Sequence, residues 1–363
     1  MKSLILVFLA LIEISNANTY LFSDTGTASI ANGQTGWADG TIGYLDSLVL
    51  ITPAANDTFL FKQVSTGFVG ARSLHTNKAW NVNDADAGAF AHFMGVKDTV
   101  TRKIIDSTDI FRFGTNCADT LQWVVMDFNS FGIVSGDYYL FSGLNITGSS
   151  ADTTTGLLSV YRSVVQFCKF RNDTNVSSNR AALWLQTSSV AHHLLVQSDS
   201  CIGIKMGSSS LSSSWVRNCR QTTNGDGIQF VSGGGNSIDG CLITNCKHYG
   251  VYIGTLADNR FTGGTTIDSC GIAIYGYSGA DIYFKNVVFG NNNTADIQYN
   301  ASYPRALVGD GVHVDPAKLT NCYFLFGIHE HTSGDCKITN PSIGIISKAS
   351  DSPLLNTGTY LWR

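Results

Sequence analysis

The chain has 363 residues, a formal net charge of −4 and 14% charged residues, so it offers no basic field to draw in nucleic acid or an anionic membrane. The same charge would weakly repel a polyanionic glycan, which leaves a neutral or mixed partner favoured. Its 37 glycines, with many Ser, Thr and Asn, break up short runs of Val, Ile, Leu, Phe and Tyr, the composition of an all-β chain with many short strands.

Residues 1–17 place Lys2 before an apolar run from Leu4 to Ile12 and close on Ser15, Asn16 and Ala17. This is the pattern of a signal peptide cleaved after Ala17, and it implies a secreted or cell-surface protein. Nine apolar residues interrupted by Glu13 are too few to span a bilayer, and no later segment reads as transmembrane, so no membrane insertion is expected. Residues 18–100 contain "SLVLITP" and "TFLFKQV" without a clear period. They are expected to form first coils and an N-terminal β cap, because an uncovered end coil would expose a pairing edge.

A repeat dominates from there on. Strands opening with Gly or Ala start at Ala182, Gly203, Gly227, Gly250 and Gly271, at spacings of 21, 24, 23 and 21 residues. "DIQY" follows at Asp296, with Asp in the Gly place. A second kind of strand lies between them ("SWVRN", "CLITN", "TTIDS", "IYFKNVVF"), separated by Gly, Asn, Ser and Asp turns. Such coils bury little alone, and stacking them creates parallel sheets about 4.8 Å between strands around a continuous core. The expected fold is a right-handed parallel β-helix over 101–345, followed by a tail at 346–363. Two inward ladders are expected: Leu183, Ile204, Ile228, Val251 and Ile272, then Leu185, Met206, Phe230, Ile253 and Ile274. The period is too regular for a sandwich and too short for a propeller blade.

Nine cysteines are an odd number and include no CxxC, which excludes a complete intrachain disulfide scaffold and the usual zinc spacing. Cys168, Cys219, Cys246, Cys270 and Cys322 each close a strand ("VQFC", "VRNC", "ITNC", "IDSC", "LTNC") and read as small apolar residues at one inside corner. Six Asn-x-Ser/Thr sequons begin at Asn56, Asn145, Asn172, Asn175, Asn292 and Asn300, and would matter in a eukaryotic secretory pathway.

With "GIQF…CLITNCKHYGVYI" as its clearest section, and "SPLLNTG" near the end, the chain resembles the pectin-lyase-like right-handed β-helix superfamily, whose members include polysaccharide lyases, polygalacturonases, tailspikes and adhesins. The resemblance implies contact with an extended glycan more strongly than any reaction. The polygalacturonase pattern is represented only by "NGDG" at 224–227, without the paired Asp, "GHG" or "RIK" that would follow. Glycosidase chemistry generally needs two positioned carboxylates.

A lyase needs a base and a neutralising cation, and coil register offers Asp226, His248, Arg220 and Lys247 as one cluster, against the plain alternative of solvated turn residues. In "GIHEH" His329 and His331 share one strand face and are candidate metal ligands; "AHH" at 191–193 and "GDGVHVD" at 309–315 are weaker signals. The outward third position of the repeat strands carries Trp184, Lys205, Gln229, Tyr252, Ala273 and Gln298, of which all but Ala273 are candidate glycan contacts. The favoured function is recognition of an extended polysaccharide by an exported or surface-displayed solenoid, with no cofactor and with homo-oligomerisation open. A polysaccharide lyase or hydrolase, and a structural fibre, adhesin or virion-associated subunit, are the alternatives.

Overall fold

The computed structural model describes 18–23, 56–62, 68–69, 90–96, 124–127, 133–148, most of 156–324, and the strands Ile328–Thr332 and Asp335–Ile338. The expected signal segment and the 346–363 tail lie outside the described residues.

The described strands fall into three sheets of twelve, twelve and nine strands, parallel throughout except for one terminal hairpin. One coil shows the plan. Ile202–Gly207 lies in the third sheet, Ser210–Ser212 in the first and Trp215–Arg217 in the second, after which Ile228–Ser232 re-enters the third directly above the start. Each coil therefore has three short strands: "IYFKNVVF" divides into Ile282–Lys285 and Val288–Phe289 on different sheets. The first sheet already begins at Thr19–Ser23 and Thr58–Lys62, within the segment read as cap and first coils. Stacked parallel coils of this kind form a right-handed β-helix. Among the described residues there is no α-helix, only a 3-10 turn at Pro316–Lys318.

Alternation along the third-sheet strands drives the apolar side inward. Leu158, Leu183, Ile204, Ile228, Val251, Ile274 and Ile297 stack in register and are fully buried. The neighbouring ladder runs Val160, Leu185, Met206, Phe230, Ile253, Gly276 and Tyr299, and the Tyr299 ring fills the space that a side chain on Gly276 would need. On the first sheet the ladder begins with rings: Tyr20, Phe59, Phe93 and Phe141 follow one another at 4.8, 4.4 and 5.1 Å between centroids.

Two expectations are corrected here. Val251 pairs with Ile274 and Tyr249 with Ile272, so the repeat slides by two residues at this coil. "CGIAI" imitates the opening of the other strands, but Gly271 precedes the glycine column and Ala273 occupies it, fully buried. Ala273 is thus not outward, and Ile272 is not in the Val251 ladder. The cysteines also divide among corners. Cys219, Cys246 and Cys270 line the corner from the second sheet to the third, Cys168 lies between the first and second, and Cys322 opens a first-sheet strand. All but Cys322 of these are buried, and all are free thiols.

The glycine column and the cysteine corner explain each other. A Cβ on Gly203, Gly227 or Gly250 would meet the sulfur of Cys219, Cys246 or Cys270, which closes the same coil, at 3.2, 2.8 and 3.2 Å. Asn218, Asn245 and Ser269, just before these cysteines, take the left-handed conformation that makes the corner, and Asn245 Nδ2 donates to Asn218 Oδ1 at 3.4 Å. At the corner between the third and first sheets, Ser163 N–H donates to Ser189 Oγ, Ser209 N–H to Asn236 Oδ1, and Asn236 Nδ2 to Asn259 Oδ1. Buried serine and asparagine are satisfied there by one another from coil to coil.

Asp296 stands in the glycine column and is fully buried. Burial pushes its pKa up to about 6 from 3.8, against hydrogen bonds from the Asp315 N–H at 3.0 Å and Asn293 Nδ2 at 3.3 Å and the charge of Lys318. The folded state therefore holds this proton more tightly than the unfolded chain. The resulting stability is complete below about pH 3.8 and is lost as pH rises through about 6, a span worth about 3 kcal/mol. Asp296→Asn is expected to gain about 2–3 kcal/mol on the parent between pH 4 and pH 7 in urea unfolding. A difference that stays constant with pH would contradict the assignment.

Candidate functional site

The outer face of the third sheet carries one column without a register break: Ser159, Trp184, Lys205, Gln229, Tyr252, Tyr275, Gln298 and Thr320. Trp184, Gln229, Tyr252, Tyr275 and Gln298 are half-buried, as residues projecting from a sheet among their neighbours should be. Tyr275 is the member that sequence reasoning missed. The two-residue slide hid it, and the matching Tyr252 one coil away was the signal that could have found it.

Packing changes what these residues offer. Lys205 is only 7% exposed, with its ammonium 5.5 Å from the centre of the Trp184 ring, and burial lowers its pKa. Tyr249 and Tyr275 stack at 4.7 Å and 8°, and Tyr252 lies 6.0 Å from Tyr275 at 13°. The tyrosines thus spend their faces largely on each other, and their edges and hydroxyls are left for a ligand. Tyr277, 53% exposed, extends the aromatic edge at the end of the next strand.

Asp226 and His248 do meet. Asp226 is buried, and its Oδ1 lies 2.7 Å from His248 Nδ1, with His248 partly exposed. Burial raises the Asp226 pKa, opposed by the hydrogen bond and charge of His248 and by the Tyr249 N–H. The His248 ring in turn lies 3.6 Å from that of Tyr249, so the pair abuts the tyrosine stack. A carboxylate holding one ring nitrogen fixes the imidazole and leaves Nε2 as the position for proton exchange. Arg220 is instead directed to Asp199 at 3.5 Å and is largely exposed. Lys247 is exposed beside it, its N–H bonded to the Cys219 carbonyl.

His329 lies in Ile328–Thr332, paired with buried His313 on the strand below, and the side chains of Ile328–Thr332, His331 included, lie outside the described residues. Among the described residues no group of three or more His, Cys, Asp or Glu could hold a metal ion. No helix there is long and apolar enough to cross a membrane. Of the sequons, Asn145 is buried in the second sheet, while exposed Asn292 donates from N–H and Nδ2 to Asp268.

The three parallel sheets define a right-handed parallel β-helix. No family model and no curated protein matches the sequence. Among solved structures, pectate lyase Pel9A is similar with a TM-score of 0.48 and 11% identity, over 94% of this chain and 88% of that one.

Proposed function

We propose that the protein is an exported or surface-displayed module that recognises an extended glycan along the outer face of its third sheet. The observation that carries this reading is the unbroken column of Trp184, Lys205, Gln229, Tyr252, Tyr275 and Gln298, which gives one polar or aromatic contact per coil. A polymer aligned with the solenoid axis would meet indole, amide and phenol groups in succession. Weak contacts repeated this way sum to useful affinity while the few free charges keep selectivity for neutral or mixed chains.

A glycan-array screen followed by titration tests it. The double variant Trp184→Ala with Tyr275→Ala is expected to bind the selected glycan at least about tenfold more weakly, with its melting profile retained. Undiminished binding would reject the column as the contact surface. Formation of ordered self-assemblies by a chain with no glycan affinity would favour the fibre reading instead.

A catalytic reading is favoured by one contact, the 2.7 Å bond between Asp226 and His248. It requires unsaturated product, or new reducing ends, from the bound glycan, and loss of that turnover in His248→Ala with binding kept.

A further inference from the structure

The first sheet carries a concavity apart from the third-sheet column. It has a volume of about 550 Å³ and is lined chiefly by Asp258, Arg260, Thr262, Ile282, Tyr283 and Val308, from three successive coils. Arg260, Tyr283 and Val308 stack in one outward column. Burial alternates along 258–262: Asp258 and Arg260 are exposed, Asn259 and Phe261 buried, Thr262 half-buried. An acid and a base thus project from the same face, two residues apart, and neither side chain is in an ion pair among the described residues. Tyr283, 38% exposed, and half-buried Val308 continue the groove as an apolar floor.

We propose that this groove binds a small zwitterion the size of a dipeptide with apolar side chains. Charge complementarity carries the assignment. Residues two apart on an extended strand are separated by about 6.5 Å, close to the distance between the ammonium and carboxylate of an extended dipeptide, about two residue lengths. The Arg260 guanidinium takes the carboxylate through paired N–H groups, and the Asp258 carboxylate takes the ammonium. The ligand backbone lies along Asp258–Arg260, and its side chains reach across the coils onto Tyr283, Ile282 and Val308. A polyanion is disfavoured by Asp258 and a simple cation by Arg260. The volume suits a short ligand rather than a polymer.

Calorimetric titration of the full chain with the dipeptide Leu-Leu, its N-acetylated form and its C-amidated form is the test. The free zwitterion is expected to bind, and each capped form at least about tenfold more weakly. Arg260→Gln and Asp258→Asn are each expected to lose at least about tenfold, Arg260→Lys less. Because a dipeptide can bind in the reverse direction, the exchanged variant carrying Asp258→Arg and Arg260→Asp is expected to recover most of the affinity. Variants of Trp184 and Tyr275 should leave this binding unchanged, which separates it from glycan recognition. No saturable binding of Leu-Leu by the parent chain, equal binding of the capped forms, or no recovery in the exchanged variant would each overturn the proposal.

Discussion

Gly227→Ala is expected to destabilise the protein by about 2–3 kcal/mol, a large effect for one added methyl. The new Cβ would sit 2.6 Å from the Gly250 carbonyl oxygen, 2.8 Å from Cys246 Sγ and 3.0 Å from Ile243 Cγ2. None of these atoms is the end of a long flexible side chain. The carbonyl is the harder obstacle, because it belongs to the strand stacked directly above and cannot retreat without opening the ladder. Lower unfolded-state entropy would return about 0.5–1 kcal/mol, which the overlap exceeds.

Gly254→Ala serves as the control. Its Cβ meets only the Tyr252 ring edge at 3.0 Å and the Phe230 carbonyl at 3.5 Å, at an exposed position, and a change within about 0.5 kcal/mol is expected. Urea denaturation of the two variants beside the parent decides the matter, and equal stabilities would contradict the close packing of the column. Ala273 shows the limit of the rule. One coil on, Asn293 stands at the corner where the preceding coils have cysteine, and an alanine is accommodated.

Phe93→Ala is expected to cost about 3–5 kcal/mol. Phe93 is 2% exposed and stacks on Phe59 at 4.4 Å and Phe141 at 5.1 Å, so its removal leaves a cavity between rings held in place by strand register. Phe93→Leu keeps most of the volume and is expected to cost less than half as much. Because each coil packs mainly on its neighbours, the loss should concentrate in the first coils. Hydrogen exchange is expected to rise in Thr58–Lys62, Ala91–Val96 and Tyr139–Ser142 and to stay near the parent value in Ile228–Ser232. Uniform loss of protection would show instead that the solenoid unfolds as one cooperative block.

The coil architecture was legible because its cause is periodic: the same apolar alternation and the same Gly-to-Cys geometry recur where strands must stack. Register was legible only while the opening glycine was the one packed against the corner cysteine, as at Gly203, Gly227 and Gly250. Gly271, crowded by the Lys247 and His248 carbonyls instead, stands two residues before the column position, and counting from it moved Ile272, Ala273 and Tyr275 to the wrong places. The shared "xC" endings misled in a similar way. A buried small residue is wanted at each kind of corner, so Cys168 satisfies the same local requirement as Cys219 in a different part of the coil, while half-buried Cys322 opens a strand.

The meeting of Asp226 with His248 could be read from the register because both precede strands paired one above the other. The engagement of Arg220 with Asp199 could not, since the flexible side chain selects its partner across a turn. The groove at Arg260 and Tyr283 was not legible for a further reason: residues from three coils make it, and none belongs to a local motif.

Strand pairing through the central coils runs between adjacent coils, with partners some 20 to 30 positions apart along the backbone, as for Val164 with Val190 and Leu242 with Thr266. A pull applied to the two ends would consequently load the outermost coil first and leave the interior slack until that coil had peeled away. Extension would then proceed in a series of similar steps, each releasing one coil's length of chain. A molecule anchored at one end could yield in this manner while its remaining coils, and whatever they hold, stayed in place.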